Sequence, residues 1–476
     1  MSDGLTDERI QATLELLDEA RDLSIEDPRR ERLERAASGL FRDGRRKRRS
    51  VTRGSRAVAD AEIQAGTVMG APDRTMDAAL PDAQGDADVG ELGRELGRPQ
   101  RCYVCKDHYR RVHHFYHRLC PDCAHDNLTR RGARTDLRGH RALLTGGRVK
   151  IGHQLALMLL RDGADLTVTT RFPRDAVRRF AAAPDAADWW DRLRVAALDL
   201  RDPRQVLAFT DHLLAEARPL DILINNAAQT LRRSPRAYSA LAAAEAAEAA
   251  PARTALPALW TAPDFAVPGA GSTEVEARPW AAGLVPRPTP ATAPATASAP
   301  AVLPAVDEAG LLTETAAENS WTARLGDIDP AEMLEVQLVN AVAPFLLADR
   351  LLPLLESSPR PRRYLLNVSA VEGRFTVRKK TSGHPHTNMA KAALNMLTRT
   401  SAADLAKRGI HACSVDTGWV TDEKPLPARE RHAATGWRPP LDIVDGAARI
   451  YHPIVQGQAG SPVHGVLLKD YRPVAW

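Results

Sequence analysis

From residue 139 onward the chain alternates between short apolar runs and longer amphipathic stretches. The runs are Ala142–Leu144, Asp165–Thr170, Arg194–Ala197, Ile222–Ile224, Tyr364–Val368, His411–Val415 and Gly465–Lys469. Each is short enough to read as a buried strand, and the stretches between them carry apolar residues at helical spacing. Such alternation predicts a doubly wound α/β fold, a parallel sheet with helices on both faces. The pattern fails between 235 and 318, where the chain turns Ala/Pro-rich, as in PRPTPATAPATASAPAVLP. Proline at that density opposes helix and sheet, and large apolar side chains are scarce, so 235–318 is expected to be a disordered insertion. Upstream, Ile10, Leu14 and Leu17 recur on one helical face behind a Thr6 cap, and Asp27-Pro28 opens a second short helix that Gly39 would stop.

The length of 476 residues exceeds one ordinary domain. The expected organisation is a helical region with a basic segment at 1–57, a flexible linker at 58–100, a four-cysteine module at 101–125 and the α/β domain at 139–476. Apolar and charged fractions of 44% and 26% are those of a globular protein. The net charge of +5 is small for this length, so bulk charge does not argue for nucleic acid, although Arg42–Arg56 is a basic run. No apolar run reaches about 18 residues, so no membrane association is expected. The opening MSDGLTDERIQ is not a signal peptide, and the expected location is the cytoplasm.

Four of the 5 cysteines cluster as Cys102-x-x-Cys105 and Cys120-x-x-Cys123. Four thiolates at that spacing predict a closed, structural zinc site, not disulfides. His113, His114 and His117 lie nearby and read as packing or surface residues. Tyr103, Tyr109, Phe115 and Tyr116 would form the small core of this module. Interleaved with Arg110, Arg111 and Arg118, they could also stack on bases, which keeps nucleic acid as a secondary partner.

The tract RALLTGGRVKIG (Arg141–Gly152) is a strand running into a glycine turn and a helix, an arrangement that brings backbone N–H groups to a phosphate. The second strand ends in Thr170-Arg171, with no carboxylate at its tip, and a guanidinium there suits a 2′-phosphate. Downstream come Asp199-Leu200, then DILINNAAQ with Asn225, Asn226, Ala227 and Ala228, then HTNMAKAALNM with Lys391. Together these resemble the short-chain dehydrogenase/reductase family, a Rossmann-type fold, over about 141–230 and 320–476. The resemblance implies a cofactor site made by Thr145, Gly146, Gly147, Lys150, Ile151, Gly152, Arg171, Asp199, Leu200, Asn225, Asn226, Ala227, Ala228, Lys391, Thr417 and Gly418. Lys150 stands where most relatives have a glycine; pteridine reductases carry a basic residue there. Thr170-Arg171 points to NADP over NAD.

The same resemblance implies a catalytic tyrosine four residues before Lys391, where this chain has Thr387. Asn340 and Lys391 match the family's asparagine and lysine. The serine position is Ala370, with Ser369 one residue early, and Thr417-Gly418 replaces a Pro-Gly. A threonine hydroxyl is far less acidic than a phenol with a pKa of about 10. Histidine, near roughly 6.5, exchanges protons at neutral pH. Enoyl reductases of this superfamily place their tyrosine seven residues before the lysine, which here is His384; His386 stands behind it. The expected catalytic set is therefore Asn340, Ser369, His384, Thr387 and Lys391. The leading expectation is an NADP(H)-dependent reductase or dehydrogenase acting on a carbonyl or alcohol, homo-oligomeric through its Rossmann domain. The alternative is a catalytically silent NADP-binding protein that uses the zinc module for a partner or nucleic acid.

Overall fold

The computed structural model describes residues 4–75, 78–80, 94–247, 257–269, 306–377 and 380–476. Two helices, α1 (Asp7–Glu19) and α2 (Pro28–Ala65), open the chain. The Thr6 and Asp27 side chains cap them as expected. Gly39 does not stop α2. A Cβ at Gly39 would meet nothing within 4 Å, so on this exposed helix glycine costs only propensity. The basic run Arg42–Arg56 is thus helical.

The expected flexible linker 58–100 is largely built into the fold. Residues 58–65 belong to α2, and Met69 is fully buried, its N–H donating to Phe115 O (2.9 Å). The buried Arg74 reaches Met69 O, Pro439 O and Leu441 O at 2.7–3.0 Å. Residues 81–93 lie outside the described residues. Then β1 (Glu95–Arg101) pairs antiparallel with β2 (His108–Arg111), and α3 (Pro121–Arg131) follows.

The α/β domain runs β3 (Arg141–Thr145), α4 (Lys150–Arg161), β4 (Asp165–Thr170), α5 (Pro173–Ala181), β5 (Leu193–Ala197), α6 (Pro203–Glu216) and β6 (Ile222–Asn225). After α7 (Ser239–Ala246) and β7 (Ala258–Thr261) come α8 (Pro330–Gln337), α9 (Ala343–Arg350), α10 (Leu352–Glu356), β8 (Arg363–Ser369), α11 (Pro385–Lys407) and β9 (Ile410–Asp416). The chain closes with α12 (Leu426–Ala434), α13 (Ile443–Gln458), β10 (Leu467–Lys469) and β11 (Arg472–Val474). The sheet order is β11-β10-β9-β8-β6-β3-β4-β5-β7, parallel throughout except β11 against β10. This is the doubly wound Rossmann-type sheet that the alternation predicts. Alternate strand residues divide between two cores. Leu144, Val168, Ile224 and Leu366 pack against α4 and α13; Leu143, Leu223 and Leu365 pack against α6 and α9. Pro330–Arg350 is long and apolar enough to cross a membrane, yet its Val339, Ala343 and Leu347 are buried in the second core.

The expectation of a disordered 235–318 needs correction for its described parts. Residues 235–246 form a 3-10 turn and α7, and β7 extends the sheet beside β5. The Glu245 carboxylate accepts the Arg174 and Asp175 amides (3.0 and 2.6 Å) at the N-terminus of α5. Residues 248–256 and 270–305 lie outside the described residues.

Candidate active site

The crevice opens where the strand order reverses, between β3 and β6. Gly146 has φ +70°, and a Cβ there would meet Ala227 at 3.0 Å. At Gly152 a Cβ would lie 2.0 Å from Gly146 O, so the turn and α4 close only with glycine. Lys150 also has positive φ (+53°), which explains why a glycine suits this position. Asn226 fastens the turn: its Nδ2 donates to Thr145 O (3.0 Å) and Gly146 O (3.2 Å). Thr145 Oγ1 accepts the Asn226 and Ala227 amides, both at 3.0 Å.

One cavity of about 390 Å³ gathers most of the expected cofactor residues: Gly146, Lys150, Ile151, Gly152, Arg171, Asp199, Leu200, Asn226, Ala227 and Ala228. Thr145 and Gly147 sit behind it, Gly147 against Val168. Asn225 is a core residue, its Nδ2 bonded to Asn367 Oδ1 (2.9 Å). Thr417 and Gly418 do not line the cavity, although Val420 and Thr421 of the same loop do. Arg171 lies 5.3 Å from the Tyr238 ring centroid, and Phe172 stacks on Tyr238. Asp307, Ala309 and Leu311 complete that wall. Sequence reasoning missed this contribution from the Ala/Pro-rich segment. It also missed Arg148, whose Nη1 bridges Asp175 Oδ2 (2.5 Å) and Ala309 O (2.8 Å).

Of the expected catalytic residues, Ser369 ends β8, and His384, Thr387 and Lys391 lie at the start of α11. Lys391 is buried, its Nζ donates to Val368 O (2.8 Å), and burial lowers its pKa to about 8. Glu372, in the turn after β8, counteracts that lowering, and it faces His384 electrostatically as well. This carboxylate stands in NVSAVEG and could have been singled out. Thr387 is one helical turn before Lys391, buried, and its Oγ1 has no hydrogen-bond partner among the described residues. Ser369 Oγ is equally buried and has no partner among the described residues. Alternation along β8 puts Ser369 on the face of Asn367, whose Nδ2 donates to Thr398 Oγ1 of α11 (2.9 Å). Asn340 sits in a π-helical turn, 338–342, between α8 and α9. Its side chain clasps the Gln229 backbone, accepting from N (2.7 Å) and donating to O (2.9 Å). Asn340, Ser369, His384, Thr387 and Lys391 are not among the residues lining the cofactor cavity.

His384 begins α11 with φ +43°. Its ring stacks on Trp321 at 3.9 Å and its Nδ1 lies 2.9 Å from Trp321 O. A bond from Nδ1–H to that carbonyl leaves Nε2 without a proton unless the ring is charged, and burial lowers its pKa. His386 is buried with Nε2 3.3 Å from Glu332 Oε1, off hydrogen-bond geometry.

The four cysteine Sγ atoms all lie within 4.8 Å of one another, and Cys105 and Cys120 are 3.8 Å apart. Cys120 caps α3, and Cys102 Sγ accepts its amide (3.3 Å). The spare histidines pack: His113 Nδ1 accepts the Phe115 amide (3.1 Å), and His117 is buried by Arg438 O. Elsewhere Arg45, Arg48, Arg49, Arg53 and Arg56 of α2 face Arg98 of β1 across a cleft. None of these six has an ion-pair partner among the described residues.

Residues 140–249 match the short chain dehydrogenase family, and 305–434 match a family described as enoyl-(acyl carrier protein) reductase. An uncharacterised protein of Acanthamoeba polyphaga mimivirus is 30% identical over 378 residues, covering 74% of this chain and 71% of that protein. The peroxisomal 2,4-dienoyl-CoA reductase of Rattus norvegicus is 31% identical over 117 residues, 24% of this chain and 34% of the rat enzyme. Among solved structures, a metagenomic short-chain oxidoreductase in complex with NADP is 17% identical, with 71% of this chain and 99% of that one covered and a TM-score of 0.41. The chain belongs to the short-chain dehydrogenase/reductase family.

Proposed function

We propose that this protein is an NADP(H)-dependent reductase or dehydrogenase acting on a carbonyl or alcohol through a non-standard catalytic site. The observation that carries the reading is the single cavity formed by the glycine turn, Arg171 and the Asn226–Ala228 strip. The glycine turn and the N-terminal residues of α4 line this cavity and suit a pyrophosphate, and Arg171 suits a 2′-phosphate. Bound there, the cofactor would supply or accept hydride. Asn340 holds the Gln229 backbone that edges the crevice, and Lys391 offers a buried ammonium beside Ser369 and Thr387. With no tyrosine at this site, His384 is the proposed proton donor, through Nε2 once protonated. Exposed Phe345, Met389 and Met396 on α9 and α11 support association of copies. The substrate test is NADPH oxidation across carbonyl classes, including conjugated thioesters of the kind named by the rat relative. Tight NADPH binding with no hydride transfer to any of them would favour the silent binder. The unpartnered arginine cleft lends that second reading its support, as a surface for a phosphate-rich partner.

The preference for NADP is expected to rest on Arg171. Arg171→Ala should weaken NADP binding by roughly 10–100-fold, the weight of a charge-assisted hydrogen bond, and leave NAD binding unchanged. Calorimetry with both cofactors measures this, and equal affinities in the parent protein would sink the assignment.

The four cysteines are proposed to hold one structural zinc. Zn–S bonds of about 2.3 Å in a tetrahedron place sulfurs about 3.8 Å apart, the separation of Cys105 and Cys120. Four thiolates this close need a cation to coexist. Metal analysis should find about one zinc per chain, and Cys102→Ser should lower it. A metal-free protein with this module still folded would refute the site.

A further inference from the structure

The four-cysteine module shares its core with the wall of the cofactor cavity. Val420 and Leu441 pack in one apolar cluster with Cys102, Met69, Phe115 and Leu119, and Ile151 packs against that cluster. Val420 and Ile151 also line the cavity. Two tethers reinforce this contact. The first is Tyr103, inside the Cys102–Cys105 knuckle, whose hydroxyl accepts the Trp419 amide at 2.9 Å. Lys469 lies over the Tyr103 ring and pairs with Asp416 (3.0 Å), whose Oδ1 in turn accepts the Gly418 amide (2.8 Å). Gly418 has φ +80°, and a Cβ there would come within 3.3 Å of the Tyr103 hydroxyl and 2.6 Å of Leu441. The loop 417–421 is therefore moulded onto the knuckle.

The second tether is α3. It starts at the ligand Cys120 and ends at Arg131, whose guanidinium forks onto Asp442 at 2.5 and 2.9 Å. Asp442 caps α13, and the next residue, Ile443, lines the cavity. Both ends of the module thus grip segments that line the cavity.

We propose that the zinc knuckle is a positioning element of the cofactor site: Tyr103 fixes the 417–421 loop through Trp419, and metal loading and cofactor binding are coupled. The coupling rests on reading the cavity as a cofactor site. Thermodynamic linkage makes it reciprocal, so bound cofactor should also hold the metal more tightly. Tyr103 touches no reacting atom and acts only through the loop.

The test uses the full-length, zinc-loaded protein and Tyr103→Phe, which keeps the ring and loses the acceptor. Hydrogen–deuterium exchange at the Trp419 amide should quicken about 5–10-fold in the variant, with zinc content unchanged. NADP⁺ affinity should fall by a similar factor, and affinity for 2′,5′-ADP, which would occupy only the Arg171 end, should not. In the parent protein, saturating NADP⁺ should slow zinc release to a chromophoric chelator. Unchanged Trp419 exchange overturns the tether whether or not NADP⁺ binds. Faster exchange with equal NADP⁺ affinity in both proteins overturns the coupling. If the parent protein binds no NADP⁺, the cofactor reading and the coupling fail together, and the exchange result still decides the tether.

Discussion

Arg131→Met is expected to destabilise the protein by about 3–5 kcal/mol, the cost of removing one partner from a buried ion pair. Arg131 is 1% exposed, and its Nη1 also lies 3.2 Å from Asp445 Oδ1. Asp442 and Asp445 form a capping box at the start of α13, and Tyr116 and Asn127 donate to Asp445 at 2.7 and 2.9 Å. Without Arg131 two buried carboxylates would face each other with their main counter-charge gone. Burial and Asp442 already push the Asp445 pKa up, whereas Arg131, against burial, holds Asp442 down. In the variant both should titrate above the unfolded value of about 3.9. The folded state would then bind protons the unfolded chain does not, so the deficit should shrink as pH falls from 7 towards 5. Urea unfolding at both pH values, compared with the parent, measures this. A deficit below about 1 kcal/mol, or one that grows on acidification, would count against the network as the main anchor of the module.

The second large effect is catalytic. If His384 gives the proton, His384→Ala should lower turnover about 10²–10⁴-fold and spare cofactor binding, whereas Lys391→Ala should weaken both. The direction of the pH dependence follows from the geometry. With Nδ1 committed to Trp321 O, only the imidazolium carries a proton on Nε2, and burial makes that form scarcer at neutral pH. Turnover should therefore climb as pH falls below about 6.5 and flatten below the lowered pKa. Stopped-flow NADPH oxidation across pH gives the profile. A fully active His384→Ala would end the histidine assignment and turn attention to Glu372.

The expected strands recur in the structure because buried parallel strands are short apolar runs, and the glycine turn recurs because only residues tolerating positive φ close it. What the sequence hid is long-range. Arg74 looks like linker, yet its partners at Pro439 and Leu441 stand 365 and 367 positions away. Ala258–Thr261 is too short to be noticed beside proline-rich chain, and its partner strand makes it a strand. Gly39 misled because a glycine stop matters only where the chain must turn. At the candidate site, the lysine and asparagine were legible from their motifs, but the Trp321 stack under His384 was not, since it is formed by a segment distant in the chain.

The Ala/Pro-rich excursion leaves and re-enters the fold at one point. Arg232 N–H donates to Ser320 Oγ (2.8 Å), Ser234 N–H to Glu314 Oε1 (2.9 Å) and Leu312 N–H to Ala237 O (2.9 Å). Meanwhile Asn225 of β6 and Asn367 of β8, 142 positions apart, lie side by side in the sheet. Closing such a span costs little more than closing half of it, about 0.6 kcal/mol per doubling. The laced root behaves as a socket: between β7, which pairs with β5, and the root, the chain can lengthen or shorten over evolutionary time without disturbing strand pairing. Variation in this family branch is therefore expected to accumulate in 270–305, after β7, and a peptide tag inserted there should leave the sheet register intact.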